Sequence, residues 1–221
     1  MESPSTAPRS PLCDSHAEEI ASVITHGAGL VFSFFATVAM VRAAEGEALR
    51  SVSAAIFGGT LILLYSSSTL YHACTAHRLK AILQVVDHGC IYLLIAGSYT
   101  PITLVSLRGP WGWSLFGVIW GFALAGVLFK VWMRGRRDHW ISTALYLGMG
   151  WLVVVAIHPL TRSLAAGALI WLAVGGVFYT LGIVFFAWNR VRFNHAVWHL
   201  FVLAGSACHV AAAAYYVLRP G

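Results

Sequence analysis

The sequence predicts an all-α integral membrane protein, a seven-transmembrane-helix bundle with a cytoplasmic amino terminus. Three observations carry that prediction. The 221 residues are 59% hydrophobic and only 10% charged, with a mean hydropathy of +0.76. A water-soluble domain carries about 25% charged residues, so this chain cannot cover a wetted surface. Its apolar residues fall into seven runs, each near the roughly 20 residues that a bilayer core demands. Composition excludes disorder, collagen and a nucleic-acid-binding module. The net charge of +6 arises from Lys and Arg set singly or in short groups between apolar runs, which is how membrane proteins place them.

Residues 1–19 hold three prolines and several acids and are expected to form a polar tail. The run over 20–41 is too long for a signal peptide's apolar core and has no basic segment before it, so it reads as the first span. Further spans are expected over 51–73, 82–107, 111–133, 140–158, 164–188 and 195–218, which makes 20–218 one transmembrane domain. In lipid every backbone polar group must be satisfied within its own segment, and the alternation of a membrane barrel is absent, so the spans are helices. With the amino terminus inside, nine Lys and Arg face the cytoplasm and five face outward, which sets the orientation. Cys13, Cys74, Cys90 and Cys208 show no paired spacing and are expected to be free thiols. Gly117 and Gly121 form a GxxxG pattern, expected to pack closely against another helix.

Ionisable groups inside a span are costly and point to function. Of the eight acids, seven fall in the tail or in loops on this reading. Asp87 alone begins an apolar span. His16, His77 and His139 belong to the tail or loops, whereas His26, His72, His88, His158, His195, His199 and His209 lie within spans. His195 and His199 are four residues apart, so their imidazoles leave one helical face about 6 Å apart along the axis, a spacing that lets two nitrogens share a tetrahedral metal. HxxxH alone is a weak signal. Counting crossings strengthens it: the end of the second span (His72), the start of the third (Asp87) and the start of the seventh (His195, His199) share one leaflet.

Ser68 lies one turn before His72 on the same face. Its hydroxyl either assists at the metal or bonds to its own helix backbone. Two or three neutral imidazoles suit Zn²⁺, with a carboxylate on the bound water rather than on the ion. His26 begins the first span in the same leaflet, as a supporting or an interfacial group. His88 points about 100° from Asp87 and reads as packing. His209 is about 15 Å beyond His199, too deep for the same site. His158 reads as interfacial.

The stretches around Ile24-Thr25-His26-Gly27, Ser68 to His72, Asp87-His88 to Thr100-Pro101, and His195 to Gly205 resemble the hemolysin III branch of the progestin and adipoQ receptor (PAQR) family. That resemblance implies a seven-helix bundle with an intramembrane zinc site. It implies His72, His195 and His199 as metal ligands, Asp87 holding the zinc-bound water and Ser68 beside it. The chain has no long cytoplasmic domain, which speaks against a hormone-receptor role, and its economy fits a multi-pass protein of a bacterial inner membrane.

Three functions follow as expectations. The first is a zinc-dependent, hydrolase-like protein that acts on membrane lipids, as amidase or ester hydrolase, and controls membrane fluidity and homeostasis. The second is a sensor or structural protein with non-catalytic zinc. The third is a pore-forming cytolysin, against which stands the lack of charge rings or a water-lined face. Membrane lipids are the expected partners, with no nucleic acid.

Overall fold

The computed structural model describes residues 15–134, 139–188 and 190–219. Most of the polar tail, with Cys13, lies outside the described residues, as do Arg136, Arg137 and Asp138. Every described element is helical: α1 His16–Ala43, α2 Ala48–Ala73, α3 His77–Pro101, α4 Gly109–Trp132, α5 His139–Trp151, α6 Ile157–Ser163, α7 Ala166–Ala187 and α8 Asn194–Ala212. A π turn, Ile102–Ser106, extends α3, and another, Ala213–Val217, extends α8. A 3₁₀ turn over Leu152–Ala156 joins α5 to α6, which together make one span. Among the described residues, seven helices are thereby long and apolar enough to cross a bilayer.

The expected spans match these helices to within a few residues, with one informative difference. The first helix starts at His16 rather than residue 20, so Glu18 and Glu19 belong to α1 and not to a tail. Ser15 explains the early start: its Oγ accepts the Glu18 N–H at 3.2 Å, and the two acids stabilise the positive end of the helix dipole. Glu47 caps α2 in the same way, accepting the Arg50 N–H at 2.8 Å.

α1 packs on α2 and α8, α2 on α3, α3 on α4, and α7 on α8. Their outer faces carry apolar side chains such as Phe35, Leu128 and Ile170, all more than half exposed, as a lipid-facing surface requires. Trp111 and Trp113 start α4, while Trp132 ends it, Trp140 lies at the start of α5 and Trp188 follows the end of α7, all exposed. Exposed Trp at helix ends is the pattern expected where a membrane protein meets the lipid headgroups.

Where a helix breaks inside the bundle, a side chain takes over the freed backbone groups. The Tyr99 hydroxyl lies 2.9 and 2.8 Å from the carbonyls of Met149 and Gly150 and accepts the Val153 N–H at 2.9 Å. That single group closes the α5 break. The close packing expected of Gly117 and Gly121 is not found: both are exposed and no atom lies near where a Cβ would stand. α4 instead packs through Gly126, against which the ring of Tyr92 rests. GxxxG marks a smooth face without telling which face is covered.

Candidate metal centre

The carboxyl end of α2 and the amino ends of α1, α3 and α8 meet on one side of the bundle, and there the polar side chains concentrate. His72, His195 and His199 are all buried, and one ligand nitrogen from each lies within 4.8 Å of the others. His72 Nε2 and His195 Nε2 are 3.2 Å apart. Two nitrogens at about 2.0–2.1 Å from a tetrahedral ion would stand about 3.4 Å apart, so the spacing fits a shared metal.

Tautomers support the same reading. His72 Nδ1 is 2.7 Å from Glu19 Oε2, so Nδ1–H donates and Nε2 keeps its lone pair. His199 Nδ1 is 3.2 Å from Thr25 Oγ1, which lies 2.9 Å from the Ala21 carbonyl. With the Thr25 proton taken by the Ala21 or the Ser22 carbonyl, His199 Nδ1–H donates to Thr25 Oγ1, and its Nε2 is buried with no hydrogen-bond partner. A buried orphan nitrogen is expensive. A cation beside it removes the cost, and three neutral imidazoles are a donor set suited to zinc.

The three histidines reach this point for local reasons. His195 and His199 share a face of α8 through their i, i+4 spacing. α8 starts abruptly because Phe193 holds a left-handed φ of 61°, a costly conformation for a bulky residue. Phe193 offers no side-chain cap, and Glu18 of α1 supplies one, accepting the His195 N–H in a long bond of 3.4 Å. α2 ends just after His72, where Lys80 Nζ donates to the carbonyls of Tyr71 and Cys74 at 3.2 Å each.

Asp87 and Ser68 are buried on the same side of the bundle. Ser68 Oγ makes no hydrogen bond of good geometry, yet it stands near enough to the Asp87 carboxyl for the two to interact. The histidine group contains no carboxylate. Asp87 instead faces a cavity of about 510 Å³ that it shares with His26, His88 and Lys130 and that runs along apolar side chains of α3, α5, α6 and α7 as far as Leu160. That volume lies within the range of ordinary small-molecule sites. His72, His195 and His199 do not line it; His26 does, and its ring stacks on His199 with centroids 3.5 Å apart.

The outlying histidines divide. His158 is exposed. The backbone carbonyl of His88 accepts from Tyr146 at 2.9 Å. His209 packs edge-on to Tyr179 and is not part of the His72, His195 and His199 group. Sequence reasoning missed Glu18 and Glu19, because they read as tail, and Thr25, because its partner His199 is 174 positions away. It also passed over Lys130, an in-span cation that is fully legible in Gly126-Val127-Leu128-Phe129-Lys130 and is buried.

Residues 15–210 match the family model described as haemolysin-III related. The chain is 43% identical to Hemolysin-3 of Bacillus cereus over 203 residues, which covers 91% of this chain and 92% of the relative. It is likewise 43% identical to a Hemolysin-3 homolog of Bacillus subtilis over 204 residues, covering 91% and 95%. The Homo sapiens monocyte to macrophage differentiation factor is 30% identical over 218 residues, covering 95% and 87%. The Bacillus relatives point to a bacterial cell membrane. With seven helices able to span it, the chain belongs to the haemolysin-III-related family of multi-pass membrane proteins.

Proposed function

We propose that the protein is a zinc-dependent hydrolase of membrane lipids, with its histidine centre in the cytoplasmic leaflet. The observation that carries this reading is the meeting of three buried imidazoles on the same side of the bundle as a buried carboxylate that lines a long apolar cavity. Zinc, when bound, supplies Lewis-acid polarisation of a carbonyl and brings the pKa of a coordinated water down to about 7. His72, His195 and His199 would hold the ion. Asp87 takes up a proton from the attacking water and returns it to the leaving amine or alkoxide as the C–N or C–O bond breaks, and Ser68, beside it, orients the scissile amide or ester. The apolar walls bind an acyl chain and exclude bulk water, which selects lipids over soluble substrates. Altered lipid composition and fluidity would be the outcome for the cell.

One observation favours a second reading. The ligand histidines do not line the cavity, which is what a structural ion tying α2 to α8 would show, in a sensor without turnover. The test is mass spectrometry of phosphatidylethanolamine and phosphatidylglycerol vesicles doped with an N-acyl amide lipid and a lysolipid ester, incubated with purified protein. The hydrolase reading expects turnover that falls about 10²–10⁴-fold in Asp87→Asn with zinc content unchanged. Zinc retained with no turnover in the wild type would overturn it in favour of the structural ion. Dye release from the same vesicles that survives His195→Ala would point to a cytolysin instead.

A further inference from the structure

α1 contributes no ligand, yet its first turns touch all three. Glu19 divides its carboxylate between two partners: Oε2 accepts from His72 Nδ1 at 2.7 Å, and Oε1 pairs with Lys80 Nζ at 3.0 Å. Lys80 is itself anchored on the last carbonyls of α2. A chain of contacts thus leaves the end of α2, passes through Lys80 and α1, and returns to α2 at His72. Glu18 meanwhile accepts the backbone N–H of His195, and Thr25 faces Nδ1 of His199.

We infer that Glu19 is a positioning residue for His72, and that the first turns of α1 act as a clip that sets the geometry of the histidine centre. The inference rests on the zinc reading of that centre. The partly buried pair between Glu19 and Lys80 joins two charges and selects no tautomer. The bond to His72 is different: that side chain is fully buried, its neutral ring can donate from one nitrogen only, and the carboxylate decides which. With Nδ1–H committed to Glu19, the Nε2 lone pair faces His195 Nε2 at 3.2 Å, and the ring is held in that orientation. Carboxylates in this position typically contribute 10–100-fold to metal affinity.

The test measures zinc affinity of the full chain in detergent by chelator competition, together with the zinc content at saturation. Glu19→Leu removes charge and acceptor and should weaken binding about 100-fold. Glu19→Gln, nearly the same shape, keeps an acceptor and should weaken it about 10-fold, and Glu19→Asp should recover part of the loss. Saturating zinc content should stay at the wild-type value in all three. Should Glu19→Leu not fold, Glu19→Gln carries the test. Affinities within two-fold of wild type would overturn the clip, and so would unchanged affinity with reduced content at saturation, since that marks misfolded chains. A wild type that binds no zinc would instead remove the underlying zinc reading.

Discussion

α7 and α8 lie side by side and differ in almost every respect that matters. α7 is the most apolar span, and only 11% of its most apolar window is buried inside the protein; α8 is less apolar, and 50% of its window is buried. α7 buries little more than Ala168, Gly175 and Gly182, whereas α8 buries His195, His199 and Ser206. In water, the hydrophobic effect drives apolar residues inward. In a bilayer that drive is spent once the helix is inserted, and association depends on packing and hydrogen bonds between helices. Apolar character therefore marks the outside of this bundle, and polarity marks the inside.

Substitutions on the two kinds of surface sharpen the contrast. The largest stability effect is expected at Gly126→Ala, where a Cβ would run into the buried Tyr92 ring. Overpacking of this kind costs about 1–3 kcal/mol, measurable as reversible unfolding in mixed micelles. Next comes Ser206→Ala. Ser206 Oγ is bonded at 3.0 Å to both Tyr65 and Tyr179 and so ties α2, α7 and α8 together. Its loss should cost about 0.6–1.7 kcal/mol, the range of interhelical hydrogen bonds in membranes. Gly117→Ala and Ile170→Ala change the lipid-facing surface and should stay within about 0.5 kcal/mol of wild type. If Ile170→Ala destabilised the protein more than Gly126→Ala, the contrast between outer and inner surfaces would be wrong.

That same contrast explains what the sequence made legible. Hydropathy alone locates seven spans, because the bilayer imposes their length. His72, His195 and His199 come into view because an in-span imidazole is anomalous, and crossing parity places all three in one leaflet. Glu18 and Glu19 were hidden by the opposite circumstance: acids at the edge of an apolar run look like tail, and only the Ser15 cap shows that the helix already includes them. Thr25 bonds a residue 174 positions away, a pairing that no local pattern encodes. The cavity beside Asp87 draws its walls from many helices, and which faces line it depends on helix rotation, a quantity that a largely apolar span such as α7 does not record.

The central claim is that three imidazoles from α2 and α8 form a centre able to hold one ion. Elemental analysis of the purified full chain tests it most directly, with His199→Ala prepared in parallel. The account predicts about one zinc per wild-type chain, as a three-histidine site binds, and close to none in the variant. A wild-type chain without stoichiometric zinc, or a His199→Ala chain that keeps it all, would contradict the account.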